Sequence, residues 1–301
     1  MLPASVIVAT FNRSKKLKRC LNALLKLNYP KYEIIVVNDA STDDTKDVLK
    51  KYGNRIRVIN HKKNKGTAAT KKTGILSSKY PLVAIMDDDC IPDKDWLFNL
   101  VKRVDIKNKI AGAAAWGITD GATCYYKDVM IKAGLFDKNF SGAYREDTDL
   151  NFRIFDLGYK IVRAPDAKFI HDPPKPRTLK DKLKYIKKRV MVHEFDALLF
   201  KKHPKRSVRF FKMKYRIVSP LEDFKRATGL WHTRDILRGG GGVPWKKEKG
   251  DVLALSSPQG IVLISGNKLK IPIIFLGGIL YAIALKFVRF YGSIKYKTFL
   301  L

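Results

Sequence analysis

The 301-residue sequence is short of several things, and each shortage excludes something. It has three cysteines, Cys20, Cys90 and Cys124. Their number is odd and none sits in a C-x-x-C spacing, which excludes a disulfide scaffold. Reduced thiols in a cytosolic setting are expected, with no cysteine-based zinc site. Acidic side chains are scarce, with 28 Asp plus Glu against 60 Lys plus Arg and a formal net charge of +32. The longest uncharged apolar run, Ile271–Leu285, has 15 residues, short of the roughly 20 of a spanning helix. The opening MLPASVIVATFN has no basic segment before its apolar run, so no signal peptide is expected there.

The charge is uneven. Residues 1–172 hold 31 basic and 20 acidic side chains, whereas residues 173–301 hold 29 and 8. Such an excess calls for an anionic partner: nucleic acid, an acidic membrane surface or a phosphorylated substrate. The first half alternates buried-strand patterns with amphipathic helices. Ala4–Thr10 reads as a strand, followed by a helix capped by Ser14 with Leu17, Leu21, Leu24 and Leu25 at helical spacing. Strands over Glu33–Asp39, Arg57–Asn60 and Leu82–Met86 interleave with helices over Asp43–Tyr52 and Gly66–Ser77. Continuous apolar strands separated by helices predict an α/β fold, a mostly parallel sheet covered on both faces. Ligands of such sheets bind beyond the carboxyl ends of the strands.

After Asp172 the texture changes. Pro173-Pro174-Lys175-Pro176 reads as a stiff break, Lys180–Phe200 as a basic amphipathic helix, and Gly239–Gly242 as a tether. Ile271–Leu285 lies between Lys268, Lys270, Lys286 and Arg289. It reads either as a core helix of a second subdomain or as a membrane anchor or interfacial helix assisted by the basic stretch before it. The expected organisation is a catalytic region over 1–175, a basic helical region and linker over 176–250, and an apolar, membrane-associated segment over 251–301.

Three acidic groupings carry the chemistry. Asp87-Asp88-Asp89 ends an apolar strand; in extended chain Asp87 and Asp89 face the same way and can share a hard cation. The bland alternative is an exposed acidic turn that caps the helix near Lys94–Val104. Asp39, closing the second strand, serves either an Asx-turn or a nucleotide base at the sheet edge. Glu146 and Asp147 open a helix with Leu150, Ile154 and Leu157 as its apolar face, and Gly158 ends it. Acidic residues there satisfy the helix dipole, or one acts as a general base. His171, before Asp172, is either structural or a metal ligand.

In this order the segments resemble glycosyltransferase family 2: Val6–Arg13, Val37–Asp43, Asn64-Lys65-Gly66 with Gly74, Asp87–Asp89, Gly134-Leu135-Phe136-Asp137 and Glu146-Asp147. The resemblance covers about residues 1–172. It implies the GT-A fold, a Rossmann-like sheet with helices on both faces, and transfer with inversion at the anomeric carbon. It implies a nucleoside-diphosphate-sugar site formed by Thr10, Asn12, Arg13, Asp39, Asn64, Gly66, Lys71 and Asp88, with uracil favoured at Asp39. Asp87, Asp89 and His171 would hold Mn²⁺ or Mg²⁺. Asp147 would be the base, with Glu146 orienting groups. The chain departs from the family at Asn38-Asp39-Ala40-Ser41, where Asp-Asp-Gly-Ser is common, and at Thr70-Lys71-Lys72, where Ala-Arg-Asn is common. Cys90 stands where another carboxylate is frequent. The Gln-x-x-Arg-Trp of processive members is missing, since Gln259 is the only glutamine.

The expectation is a metal-dependent hexosyltransferase that moves one sugar to a glycan or a lipid-linked acceptor, such as a polyprenyl phosphate. It would work at the cytoplasmic face of the cell membrane, peripheral or held by a single C-terminal pass, on an anionic lipid surface. The acceptor would meet the Ala113–Tyr126 region. A basic nucleic-acid-binding protein and a metal-dependent nucleotidyltransferase are the alternatives. No helix-turn-helix, zinc finger or RNP signature supports the first, and nucleic acid is not expected as a partner. The Thr10–Ser14 turn lacks the G-x-G-x-x-G of a dehydrogenase.

Overall fold

The computed structural model describes residues 1–115, 122–141, 144–172, 178–228, 252–257, 260–265 and 271–301; side chains are described in all of these except 225–228, 252–257, 260–265 and 271–275. Pro173–Pro176, Gly239–Gly242, Gln259, Lys268, Lys270 and residues 116–121 of the expected acceptor region lie outside the described residues. The chain forms two compact units, Met1–Pro173 and Pro174–Leu301. Residues 176–250 and 251–301 thus both contribute to the second.

The first unit is built on a seven-stranded sheet. Its centre is β1 (Ala4–Thr10), paired in parallel with β2 (Tyr32–Asn38) on one side and β4 (Leu82–Asp87) on the other. β3 (Arg57–Asn60) lies parallel beyond β2. The connections run through α1 (Ser14–Leu24), α2 (Thr45–Lys50) and α3 (Thr67–Ser77). Past β4 the sheet becomes mixed. β7 (Thr123–Tyr126) is antiparallel to both β4 and β6 (Ile110–Ala114), and β8 (Lys160–Arg163) runs parallel to β6. The few residues between β6 and β7 are too short for the crossover a parallel neighbour needs, so the chain returns antiparallel. The expected GT-A-like architecture is present, with this antiparallel strand as its departure from a uniform sheet.

Strand periodicity sorts the core into two layers. Val6 and Val8 of β1 pack with Leu17 and Leu21 of α1 and with Trp96 and Leu100 of α4 (Trp96–Val101). Ile7, pointing the other way, joins Ile35, Val37, Ile75, Leu150 and Ile154. Ser14 is not the cap of α1. Arg13 holds that position without a side-chain bond, and the backbone N–H of Ser14 donates to Asp43 Oδ2 at 3.2 Å. An anionic oxygen from the next motif therefore satisfies an orphan donor at the helix start.

The second unit holds α7 (Leu179–Met191), α8 (Glu194–Lys202), α9 (Pro204–Phe211), α10 (Pro220–Thr228) and α11 (Ile271–Lys295), with two antiparallel strand pairs, β10 (Met213–Lys214) with β11 (Ile217–Val218) and β12 (Val252–Ser257) with β13 (Gly260–Ser265). The expected single helix over Lys180–Phe200 is two helices, because the chain turns at Val192–His193 and His193 Nδ1 lies 2.9 Å from Asp196 Oδ2. Thr178 and Asp181 form a reciprocal capping box at the start of α7. α11 packs on α8 and α10 around Arg289, which is fully buried; its Nε donates to Asp196 Oδ2 at 3.0 Å and its Nη1 to Asp223 Oδ2 at 2.7 Å. Burial would lower this guanidinium's pKa, but the two carboxylates outweigh it and raise it. Among the described residues no helix is long and apolar enough to cross a membrane, so a spanning C-terminal anchor has no support here.

Gly74 of α3 lets that helix approach the sheet: a Cβ there would sit 2.3 Å from Ile7 Cγ2. Replacing Gly74 with alanine forces Ile7 aside, and overpacking of this kind costs about 1–3 kcal/mol. Urea denaturation of Gly74→Ala reads that loss as a lower midpoint at unchanged slope.

Candidate active site

The carboxyl ends of β1, β2 and β4 deliver Thr10, Asp39 and Asp87 to one edge of the sheet. Asp39 is buried and organises the loop that follows β3. Its carboxylate accepts from the backbone N–H of Lys65 (2.9 and 3.1 Å) and of Gly66 (2.9 Å), and Oδ1 lies 2.7 Å from His61 Nδ1. Asn64 Nδ2 donates to the Asp39 carbonyl at 3.3 Å. Asn12, with φ 52°, accepts the Thr42 N–H on Oδ1 at 2.7 Å and donates its own N–H to Ser41 Oγ at 2.9 Å. Asp39, Asn64, Gly66 and Asn12 therefore belong to two interlocked turns at the ends of β1 and β2.

At the end of β4 the chain turns, and the alternation expected of an extended triplet stops at Asp87. Arg13 Nη1 donates to both Asp88 Oδ1 and Asp89 Oδ2 at 2.9 Å, and Thr10 Oγ1 donates to Asp88 Oδ2 at 2.7 Å. Asp88 is buried, and desolvation pushes its carboxyl up to about 6 against the pull of Arg13 and Thr10. For Asp89, burial also pushes upward, but His171 and Arg13 prevail and hold it below the usual carboxylate range. β5 (Cys90–Pro92) pairs antiparallel with β9 (Phe169–His171), setting Cys90 opposite His171. Ligand atoms of Asp89, Cys90 and His171 lie within 4.8 Å of one another. The carboxylate suits Mn²⁺ or Mg²⁺ with water completing the shell; the imidazole is a softer donor than these ions prefer, and the thiol softer still.

Asp87 turns instead toward Lys71, whose buried Nζ lies 3.8 Å from Asp87 Oδ1 and 3.1 Å from Glu146 Oε1. Desolvation would lower the Lys71 pKa, but Glu146 and Asp87 outweigh it and hold the ammonium charged. Asp87 combines a crowded setting that raises its carboxyl with a side chain 43% exposed. The open side matters more for a cation arriving from solution.

Glu146 and Asp147 open α6 (Glu146–Asp156). Burial and the neighbouring Glu146 carboxylate push Asp147 up to about 7, with Lys71 opposing. Leu150 and Ile154 are buried as expected, whereas Leu157 lies past the helix end and is 43% exposed. A clasp fixes α6 to the Gly134–Asp137 turn: Arg153 Nε donates to Asp149 Oδ2 at 3.0 Å, Nη2 to the Leu135 carbonyl at 2.7 Å, and Nη1 to the Ala133 carbonyl. Gly134 has φ +86°, and a Cβ there would meet Arg153 Nη1 at 3.2 Å. The turn sets the Phe136 ring 5.4 Å from Lys71 Nζ.

Two cations thus string the acidic groups together: Arg13 joins Asp88 to Asp89, and Lys71 joins Asp87 to Glu146. Sequence reading missed His61, Arg145 and Arg153, and quoted Phe136 in a motif without giving it a role. Arg145, the residue before α6, has φ 72° and stacks on the Tyr144 ring at 4.3 Å. Its place beside the acidic pair was the one available signal, since strained backbone gathers at functional sites.

The family model described as "Glycosyl transferase family 2" matches residues 5–163. Glycosyltransferase AglE of Haloferax volcanii is 33% identical over 98 residues, covering 31% of this chain and 32% of that protein. Glycosyltransferase GlyG of Streptococcus pneumoniae is 36% identical over 108 residues, covering 35% and 36%. The match thus spans about a third of these relatives' length. Among solved structures, the mannosyltransferase PcManGT of Pyrobaculum calidifontis, in complex with GDP-Man and Mn²⁺, has a TM-score of 0.62 at 18% identity and covers 96% of this chain and 87% of that one. Residues 1–349 of Staphylococcus aureus TarS in complex with UDP-GlcNAc have a TM-score of 0.52 at 14% identity, with 99% of this chain and 93% of that fragment covered. These similarities show a shared fold.

Two substitutions test the site's construction. Ala40 has φ 62° where Gly is common in the resembling motif; Ala40→Gly relieves a left-handed alanine and stabilises by up to about 1 kcal/mol in urea melts. Asp147 has a raised carboxyl in the folded state, so its contribution favours folding at low pH and is lost as pH rises toward about 7. Asp147→Asn accordingly raises Tm at pH 8 by roughly 2 °C, and the gain disappears near pH 4.

Proposed function

Because the chain belongs to glycosyl transferase family 2, we propose that it is an inverting, metal-dependent glycosyltransferase. It moves one hexosyl unit from a nucleoside-diphosphate sugar, with UDP favoured, to a glycan or lipid-linked acceptor at the cytoplasmic face of a membrane. The observation that carries this reading is the string of groups at the sheet edge: a carboxylate–imidazole pair, Asp89 and His171, at one end and a carboxyl raised to about 7, Asp147, at the other.

Asp89 and His171 would hold Mn²⁺ or Mg²⁺, which when bound would supply Lewis-acid stabilisation of the departing diphosphate. Arg13 keeps Asp88 and Asp89 in place for that role. The base stands against the Asp39 turn, whose carboxylate already binds Lys65 and Gly66, so those residues share its recognition. Asp147 accepts the proton of an acceptor hydroxyl; a pKa near working pH suits that transfer. Glu146, tied to Lys71, orients rather than takes the proton. A phosphate acceptor, already ionised, needs no base.

A thermal-shift panel of UDP, GDP, dTDP and CMP, each with and without Mn²⁺, tests the donor side. One nucleoside diphosphate raises Tm only with Mn²⁺, the rise is lost in Asp89→Ala, and Asp147→Asn keeps it. No response to any nucleotide with metal present contradicts the reading. For hydroxyl acceptors, Asp147→Asn lowers kcat by about 10²–10⁴-fold, and wild-type kcat/KM rises with pH through about 7. Equal activity in Asp147→Asn overturns the base assignment for a hydroxyl acceptor.

A further inference from the structure

The second unit contains a helix, α11, that leaves a long apolar stripe uncovered. The face of α11 that packs against α8 and α10 mixes aliphatic, small and polar side chains, with Leu285 and Val288 buried on it. Ala282, Gly292, Ser293 and the charged Arg289 lie there, Gly292 so tightly that a Cβ would meet the Glu194 backbone oxygen at 2.6 Å. The opposite, exposed face is a continuous apolar stripe: Leu276, Leu280, Ile283, Phe287, Tyr291 and Ile294, with Phe287 70% exposed. Their spacing of four, three, four, four and three residues keeps them on one side of the helix. A single contiguous apolar face of this length marks an interaction surface.

α7 repeats the theme. It has no buried residue; Leu179, Leu183 and Ile186 form an exposed row flanked by Lys180, Lys182, Lys184, Lys187 and Lys188. The two helices touch, with Tyr281 Oη donating to the Arg189 carbonyl at 3.5 Å.

We propose that the outward faces of α11 and α7 form a lipid-contacting surface that seats the protein in an anionic membrane, with the apolar rows among the acyl chains and the lysines at the headgroups. Charge decides between lipid and a second copy of the chain. Residues 173–301 carry 29 basic and 8 acidic side chains, so two such surfaces repel each other, whereas anionic lipid neutralises them. Arg289, locked to Asp196 and Asp223, keeps the inner face of α11 on its own unit, so the helix enters the membrane side-on with α8 and α10 attached. The inference deepens the membrane-face part of the proposed function and uses no catalytic residue.

Flotation of the full chain with phosphatidylcholine vesicles containing about a quarter phosphatidylglycerol tests it. The wild type floats with these and several-fold less with phosphatidylcholine alone. Ile283→Ser combined with Phe287→Ser lowers flotation at least about fivefold. Phe287→Trp, conservative at an exposed position, reports independently: its added fluorescence is quenched by lipids brominated on the acyl chain. Unchanged flotation of the double variant, or an unquenched Trp at 287, overturns the proposal. So does a lipid-free wild-type dimer in light scattering that the double variant abolishes. Donor-dependent thermal shifts read the transferase separately; if those fail while flotation holds, the catalytic reading falls and this surface stands.

Discussion

Crowding of like charge at one sheet edge is the constraint on which the rest of the first unit depends. A chain with a formal charge of +32 gathers Asp87, Asp88, Asp89, Glu146 and Asp147 into one place. Among the described residues two cations each bridge a pair there: Arg13 joins Asp88 and Asp89, and Lys71 joins Asp87 and Glu146. The remaining repulsion and desolvation are visible in the raised carboxyls of Asp88 and Asp147, at about 6 and about 7. An edge so arranged attracts a further cation and keeps one carboxyl near neutrality, which are the two requirements of metal-assisted group transfer to a hydroxyl.

The frame around this edge follows from ordinary packing. Val6 and Val8 serve one layer and Ile7 the other, so β1 is fixed between two helical faces and its end carries Thr10 to the acids. Asp43 on the α1 start and Arg153 on the Gly134 turn act as clasps from later motifs onto earlier ones. They tie together short segments far apart in sequence, each satisfying backbone groups that another leaves open.

Much of this was legible in the sequence, because strand and helix periods are local. β1 to β4 and the helices between them fall near their expected bounds, and the acidic strand ends mark the edge. Long-range pairing was not legible. Nothing local to Cys90 or His171 says that β5 and β9 are neighbours, or that Arg153 reaches Ala133 and Leu135. The alternation argument for Asp87 and Asp89 also stopped short, since it holds only while the chain stays extended and β4 ends at Asp87. In the second unit, the amphipathic pattern over Lys180–Phe200 was real, but it covers two helices with opposite fates: Phe195 and Leu198 of α8 are buried, while Leu183 and Ile186 of α7 face out. Hydrophobic period locates an apolar face without saying what covers it.

The central claim is that the acidic edge is completed by one divalent cation at Asp89. Titration of the chain with Mn²⁺, following the free ion by electron paramagnetic resonance in the presence of the responding nucleoside diphosphate, tests it most directly. The account predicts one bound ion per chain, with affinity falling at least about tenfold in Asp89→Ala. Saturation at zero, or unchanged affinity in Asp89→Ala, would contradict it.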